Sequence, residues 1–566
     1  MNAARATEVA AAIVVTVPSA RSAPVATLPP MPRPAPAATV NTSPSKMPST
    51  TRSAPSSVTS APRRPRAAVV AIAVAVVVAA AAAVVVAAVA ADVTDPNVGD
   101  GPSPALAGGG LSPSLATGSP AVADAGASMS RPASVAGPEA GIELTTLASG
   151  LRIVTERMPE ARSVTIGFWA GVGSRDESIG LAGASHFLEH LLFKGTADRS
   201  ARDIAVAVDA VGGEMNAFTT REHTGYYTRL PVAELGFGLD LLADVVAAPA
   251  FRPQEVDAER EVILEEILMN EDTPDDVVHT RLIDALFPDH PLGRETLGSE
   301  ASITDMARDD IAAFHAEWYR PANLVVAAAG DLHHDDVVER VERCLAGTDP
   351  GSRPVRAGPV ADLVPMSVVH RPTEQAHVAM AWRGLANTDP DRYALMVANQ
   401  VLGGGMSSRL FQEVREERGL AYTVYSSPSS YADTGAFTVY AGTAPARLGE
   451  LLDVINDVID SALDAGITGA EHQVARGYLE GATLLGLEDS GSRMARLGAS
   501  LTSRDEIIAV DENLNRMRAV TGDDVLRVLR RVLAAPSVLS IVGPFAPHDA
   551  VLVGAIDRAE ARAARV

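Results

Sequence analysis

Two stretches of this chain, about 210 residues apart, carry related runs of apolar and acidic residues. The first runs from Ala233-Glu234-Leu235 through Leu241-Leu242-Ala243-Asp244-Val245, and its echo is Arg447-Leu448-Gly449-Glu450-Leu451-Leu452-Asp453-Val454. A repeat of that length constrains the fold strongly, because each copy is long enough to build a sheet and core of its own. Each copy also closes on an apolar strand, 323–330 in the first and Ser537–Gly543 in the second. Between them, 347–365 is rich in Pro, Gly and Asp and reads as a connection. The expectation is an α+β chain of two homologous domains, each a mainly antiparallel sheet packed with helices, after a disordered N-terminal tail. The domains are drawn at 142–350 and 369–566, with 351–368 as linker.

Local patterns support that order. Val164, Ile166 and Phe168 alternate as in a half-buried strand. A helix is expected over 201–211, where Gly212-Gly213 can end it. Strands Glu214–Thr219 and 223–230 follow, and helices start at Pro231 and Pro253, since proline suits a first helical turn. Hydrophobic residues make up 47% of the chain but aromatics only 4%, so the cores must be aliphatic. The single cysteine, Cys344, excludes intrachain disulfides and a cysteine zinc cage, and is expected as a small apolar residue on a helix.

The first quarter has a different texture. Residues 1–66 are rich in Pro, Ala, Ser and Thr and should stay disordered. Residues 67–91 then run for 25 positions without a charge or hydroxyl. As a helix they would span about 37 Å, enough to cross a bilayer. Arg63, Arg64 and Arg66 precede the run, and Asp92 and Asp95 follow it, which would keep the first segment cytoplasmic. This reading makes the chain a single-pass membrane protein, with 92–141 as linker. The competing reading starts translation near Met129 and leaves a cytoplasmic protein; the sequence does not choose. The formal charge is −23, and residues 1–128 hold eight Lys/Arg against five Asp/Glu, so the remainder carries −26. A surface that acidic is a poor partner for nucleic acid.

The chemistry concentrates at His186-Phe187-Leu188-Glu189-His190. On a helix over 181–193 the two histidines lie one turn apart on one side and can bind one metal ion, with Glu189 on the adjacent face. A catalytic zinc needs a third protein ligand and an open position. The expected helix 253–270 offers Glu255, Glu259, Glu261, Glu265 and Glu266. Glu259 and Glu266 point within about 20° of each other, whereas Glu265 points about 100° away. Geometry groups the first two without choosing between them.

These residues, together with Phe193-Lys194-Gly195-Thr196, Asn216-Ala217-Phe218-Thr219, Tyr226-Tyr227 and Glu259-Arg260 through Glu265-Glu266, resemble the pitrilysin/insulinase family of zinc peptidases. The likeness is greatest to its two-domain branch, which includes the mitochondrial processing peptidase beta subunit. The resemblance implies one Zn2+ per chain on His186, His190 and Glu266, with Glu259 as a supporting carboxylate. Glu189 would be the general base for a water held at the metal, and Asn216 and Ala217 would hold the substrate backbone. In the second half, the glycine-rich Leu402–Leu410 stretch resembles a substrate-facing loop. Arg415 and Tyr422 match a pair implied in stabilising the tetrahedral intermediate, a role that two such donors suit. Single-chain relatives have four such domains in a row, so the resemblance further implies a homodimer with shared active sites acting on a peptide or unfolded protein. The alternatives are a non-catalytic scaffold or partner subunit of the same fold, and a membrane-tethered binding protein with structural zinc. Retention of Glu189 beside the ligand set argues against both. His333, His334 and His370 have no ligand spacing to one another and read as surface or core residues.

Overall fold

The computed structural model describes residues 134–136 and 141–565. The disordered segment expected at 1–66, the transmembrane helix expected at 67–91 and nearly all of the 92–141 linker lie outside the described residues. Among the described residues no helix is long and apolar enough to cross a membrane.

Two mixed sheets organise the chain. The first contains β2 (Ile142–Thr146), β3 (Arg152–Arg157), β4 (Ser163–Ala170), β5 (Glu214–Thr219), β6 (Thr224–Pro231) and β7 (Leu324–Gly330) in the order β2-β3-β7-β4-β6-β5. The second contains β8 (Met366–His370), β9 (Ala376–Gly384), β10 (Ala421–Ser430), β11 (Gly435–Thr443) and β13 (Ser537–Gly543) in the order β8-β13-β9-β11-β10. Outside them, β1 (Ser134–Ala136) pairs parallel with β12 (Glu506–Ile508). Apart from the extra hairpin strand β2, the two sheets trace the same path. In each, the last strand lies between the first two, and the third strand is left at the edge. Pairing is antiparallel except where the first strand of each sheet meets the last, β3 with β7 and β8 with β13. The repeat seen in the sequence is thus a repeat of topology, in two α+β domains.

Each sheet buries one face under helices of its own half. In the first half, Ile166, Phe168 and Val326 pack against Phe187, Leu188 and Leu242. In the second, Met380, Trp382 and Ile541 pack against Val397, Leu451 and Leu529. The opposite faces are covered by exchange. Helix Ser490–Arg504 of the second half lays Met494, Leu497 and Leu501 on Trp169, Val325 and Ala327 of the first sheet. Helix Pro274–Leu286 of the first half lays Val278, Leu282 and Leu286 on Ala379, Ala381 and Val538 of the second. This exchange corrects the half-buried reading of β4, which is buried on both faces from Val164 onward.

Smaller differences have local causes. The histidine helix runs Ala184–Leu192 rather than from 181, because Gly183 adopts a left-handed φ of 93° and starts it afresh. The helix expected at Pro231 opens with a 3-10 turn at Val232–Glu234 and becomes α-helical at Leu235–Ala247. Cys344 does end a helix, but it is exposed, with its Sγ 3.7 Å from Asp240 Oδ1.

Candidate metal centre

Two helices supply the centre. The histidine helix stands against helix Pro253–Asp272, packed through Phe187, Leu188, Val256 and Ile263 in the core of the first half. Their polar sides then meet. His186 Nε2 and His190 Nε2 each lie 3.7 Å from the same oxygen, Glu266 Oε2. The donor atoms of the three residues all fall within 4.8 Å of one another. Ligands about 2 Å from a tetrahedral zinc sit about 3.3 Å apart, so this set closes on such an ion with small adjustments. Glu265, one residue along, points outward and is exposed.

The surroundings suit a cation. Burial and the neighbouring His190 push the His186 imidazole down to about 3, which keeps it neutral, as a ligand must be. His190 is buried too, but the carboxylates of Glu259, Glu266 and Glu189 outweigh that and move it upward. Glu259 is buried, an effect that favours its neutral form. Hydrogen bonds with His190, 3.0 Å from Nδ1, and Lys194, 2.6 Å from Nζ, overcome it and hold its carboxyl below the usual range. With Nδ1 committed to Glu259, the His190 Nε2 is left for the metal side. Burial raises the Glu189 carboxyl, with Glu266 adding to the effect and Thr219 and His190 opposing it. Burial likewise raises Glu266.

Beside the helices, β5 is the edge strand of its sheet, paired among the described residues only with β6. Asn216 lies opposite Tyr227 and Ala217 opposite Tyr226. The Asn216 side-chain carbonyl accepts from the Ala217 N–H at 2.8 Å, so one backbone donor of this edge is met by a side chain.

Arg415 and Tyr422 form a pair of their own in the second half. Arg415 lies on the π-helix Phe411–Glu416, a helical form frequent at functional sites, and Tyr422 lies on β10. The guanidinium sits 4.4 Å over the Tyr422 ring and 4.8 Å over Phe411, and donates to the Tyr422 carbonyl at 3.1 Å. Tyr422 is 76% exposed. Among the described residues neither has a hydrogen bond, ion pair or ring contact with the His186–His190–Glu266 group. Within the glycine-rich stretch before them, Arg409 is clamped to Glu471 by bonds of 2.6 and 2.8 Å.

Three contributors had no role assigned by the sequence reading. Lys194, four residues after His190, is placed by that spacing within reach of the same Glu259 carboxylate. Thr219 reaches Glu189 from β5. Glu177 accepts the Gly183 and Ser185 N–H groups at the start of the histidine helix; the sequence signal for it is Gly183, a helix start without a side chain to cap it.

Residues 152–300 match the family described as Insulinase (Peptidase family M16), and 305–479 match the Peptidase M16 inactive domain. A protein of Streptomyces coelicolor named an uncharacterized zinc protease is 47% identical over 72% of this chain and 92% of its own. The chain belongs to the M16 peptidase family. An uncharacterized zinc protease of Mycobacterium tuberculosis is 45% identical to this M16 protein over 71% of the chain and 92% of the relative. Among solved structures, a protease from Helicobacter pylori superposes with a TM-score of 0.65 at 24% identity, over 71% of this chain and 99% of its own. A peptidase M16 inactive domain from Pseudomonas fluorescens gives 0.66 at 23% identity, over 72% and 98%. These two likenesses support the fold of this M16 chain, as two α+β domains.

Proposed function

We propose that this M16 protein is a zinc-dependent endopeptidase that hydrolyses extended peptides or unfolded protein segments within an enclosed chamber, with one zinc per chain. The convergence of His186, His190 and Glu266 beside the Glu189 carboxyl carries the reading. Relatives named zinc proteases support it. Zinc, when bound, acidifies water and polarises the scissile carbonyl. His186, His190 and Glu266 hold it, and Glu259 fixes the orientation of His190. Glu189 accepts the proton of the attacking water and passes it to the leaving amine. Its burial strengthens its hold on that proton in the interval between.

The free edge of β5 takes the peptide as an added strand, with Asn216 and Ala217 against its backbone. Arg415 and Tyr422 donate to the developing oxyanion. Since they make no bond to the metal group of their own chain among the described residues, the reading assigns them to the site of a second copy. The active unit is then a homodimer with shared sites, in which two copies supply the four domains that single-chain relatives carry in one chain. If the full chain is made, 67–91 anchors it to a membrane; a start near Met129 leaves it cytoplasmic. The intact mass of the natively produced protein distinguishes these.

The central test is metal content with kinetics. The purified protein should hold about one zinc per chain and lose peptidase activity on chelation. Glu189→Gln should keep the zinc while turnover drops by about 10²- to 10⁴-fold. Undiminished turnover in that variant would sink the mechanism.

A further inference from the structure

The histidine helix is short, and its first turn matters most. His186 is only its third residue, so fraying at the start would displace a ligand. The residue at its N-cap cannot help. Gly183 has φ 93°, and a Cβ there would lie 2.7 Å from both Ile303 Cδ1 and the Leu297 carbonyl oxygen. Glycine is therefore required, and glycine has no side chain to cap with. The missing acceptor comes from outside the helix. Glu177 is buried and receives the Gly183 N–H on Oε2 and the Ser185 N–H on Oε1, each at 2.7 Å. One carboxylate thus meets two donors at the positive end of the helix dipole.

The segment that carries Glu177 is anchored to the second half through its neighbours. Two residues before Glu177, the buried Arg175 pairs with Glu222 of the first half and with Asp433 of the second, the latter at 2.6 Å. It also donates to the linker carbonyl of Ala357 at 2.8 Å. Glu222 in turn accepts from the Ala432 N–H at 3.0 Å. Between Arg175 and Glu177, Asp176 is held by Arg356 of the linker at 2.7 and 2.8 Å. The segment ending in the cap is therefore clamped to the linker and to the 432–433 turn.

We propose that Glu177 is a positioning residue for His186, and that the Arg175–Asp433 contact couples docking of the second half to how tightly the first half holds zinc. This inference rests on the zinc reading above. It is tested on the full chain by competition for zinc with a chromophoric chelator and by the visible spectrum of the cobalt-substituted protein. Glu177→Gln keeps the shape of the side chain but turns an amide NH2 toward one of the two N–H groups. It should weaken zinc binding by about 10- to 100-fold and shift the cobalt bands. Asp433→Asn, on the second half, should weaken it by about 3- to 10-fold. The control is Ile541→Val in the core of the second half, which should lower Tm without altering zinc affinity or the cobalt spectrum. Zinc affinity of Glu177→Gln within twofold of the parent would overturn the proposal, as would an equal loss in Ile541→Val. Should Glu177→Gln not fold, Asp433→Asn decides, and an unchanged affinity and spectrum there refute the coupling. A parent protein that binds no zinc would bring down the zinc reading itself, and this inference with it.

Discussion

His190 donates its Nδ1–H to Glu259 across 3.0 Å. The direction follows from the partner, since an ionised carboxylate can only accept. The two glutamates on one side of helix Pro253–Asp272 are thereby divided: Glu259 faces Nδ1 of His190, and Glu266 faces Nε2.

That division predicts a graded response. Glu266→Gln should weaken zinc retention most, because it alters a donor. Glu259→Gln should cost about 10- to 100-fold in affinity or activity, with activity the more affected. Glu265→Gln, on the exposed side, should change little. Zinc content after dialysis against a graded chelator checks all three, and equal losses from Glu265→Gln and Glu266→Gln would contradict the assignment.

A second prediction concerns the exchange of helices. A Cβ on Gly498 would lie 2.1 Å from Trp169 Nε1, so the indole of one half rests directly on the backbone of the other. Gly498→Ala should destabilise the chain by about 1–3 kcal/mol through overpacking. Denaturant unfolding is the measurement; a stability equal to the parent would mean that the two halves have slack at this contact.

Much of the fold was legible because its signals are local. The period-two apolar pattern of β4 and the glycine pair after the helix at Ala201–Ala210 are read from neighbouring residues. The burial of Trp169 is not, since Met494 and Leu497 that cover it are more than 300 residues away and carry no mark of their destination. The metal group was legible for a related reason: His186 and His190 share one helical face. The choice of Glu266 over Glu259 needed the resemblance, because helical periodicity places both on one side. Glu177 escaped because capping is ordinarily sought at the N-cap itself, and here that position is a glycine.

Stability should depend on pH through histidines away from the metal group. Burial, with Arg356 nearby, pushes His223 down to about 4. Burial does the same to His279, against the pull of Asp275, and to His315, against its hydrogen bond to the Val246 carbonyl. In the unfolded chain these rings titrate near about 6.5. Between the two values the unfolded state binds more protons, so stability is complete above about 6.5 and falls as pH drops toward about 4. Each ring contributes at most about 1.4 kcal/mol per pH unit. Thermal unfolding of the zinc-free protein across this window should show the decline, to which His186 adds, and His279→Gln should make it shallower. A Tm that holds level through the window would show that these rings are protonated in the fold.

Shared catalysis predicts complementation. A Glu189→Gln chain mixed with a Tyr422→Phe chain would then form heterodimers in which one site has both wild-type contributions. Activity well above either variant alone is expected once subunits exchange. Heterodimers visible by native mass spectrometry but without recovered activity would place both groups in one chain's site.

The crossed helices carry a consequence for how the chain holds together. Helix Pro274–Leu286 belongs to the first half by sequence and to the second by contact, and helix Ser490–Arg504 does the reverse. The peptide between the halves is therefore a minor part of what joins them. Cleavage within 347–365, which has neither helix nor strand, should leave two pieces clasped like interlocked hands. Either piece made alone would present to water the apolar sheet face that its absent companion covers.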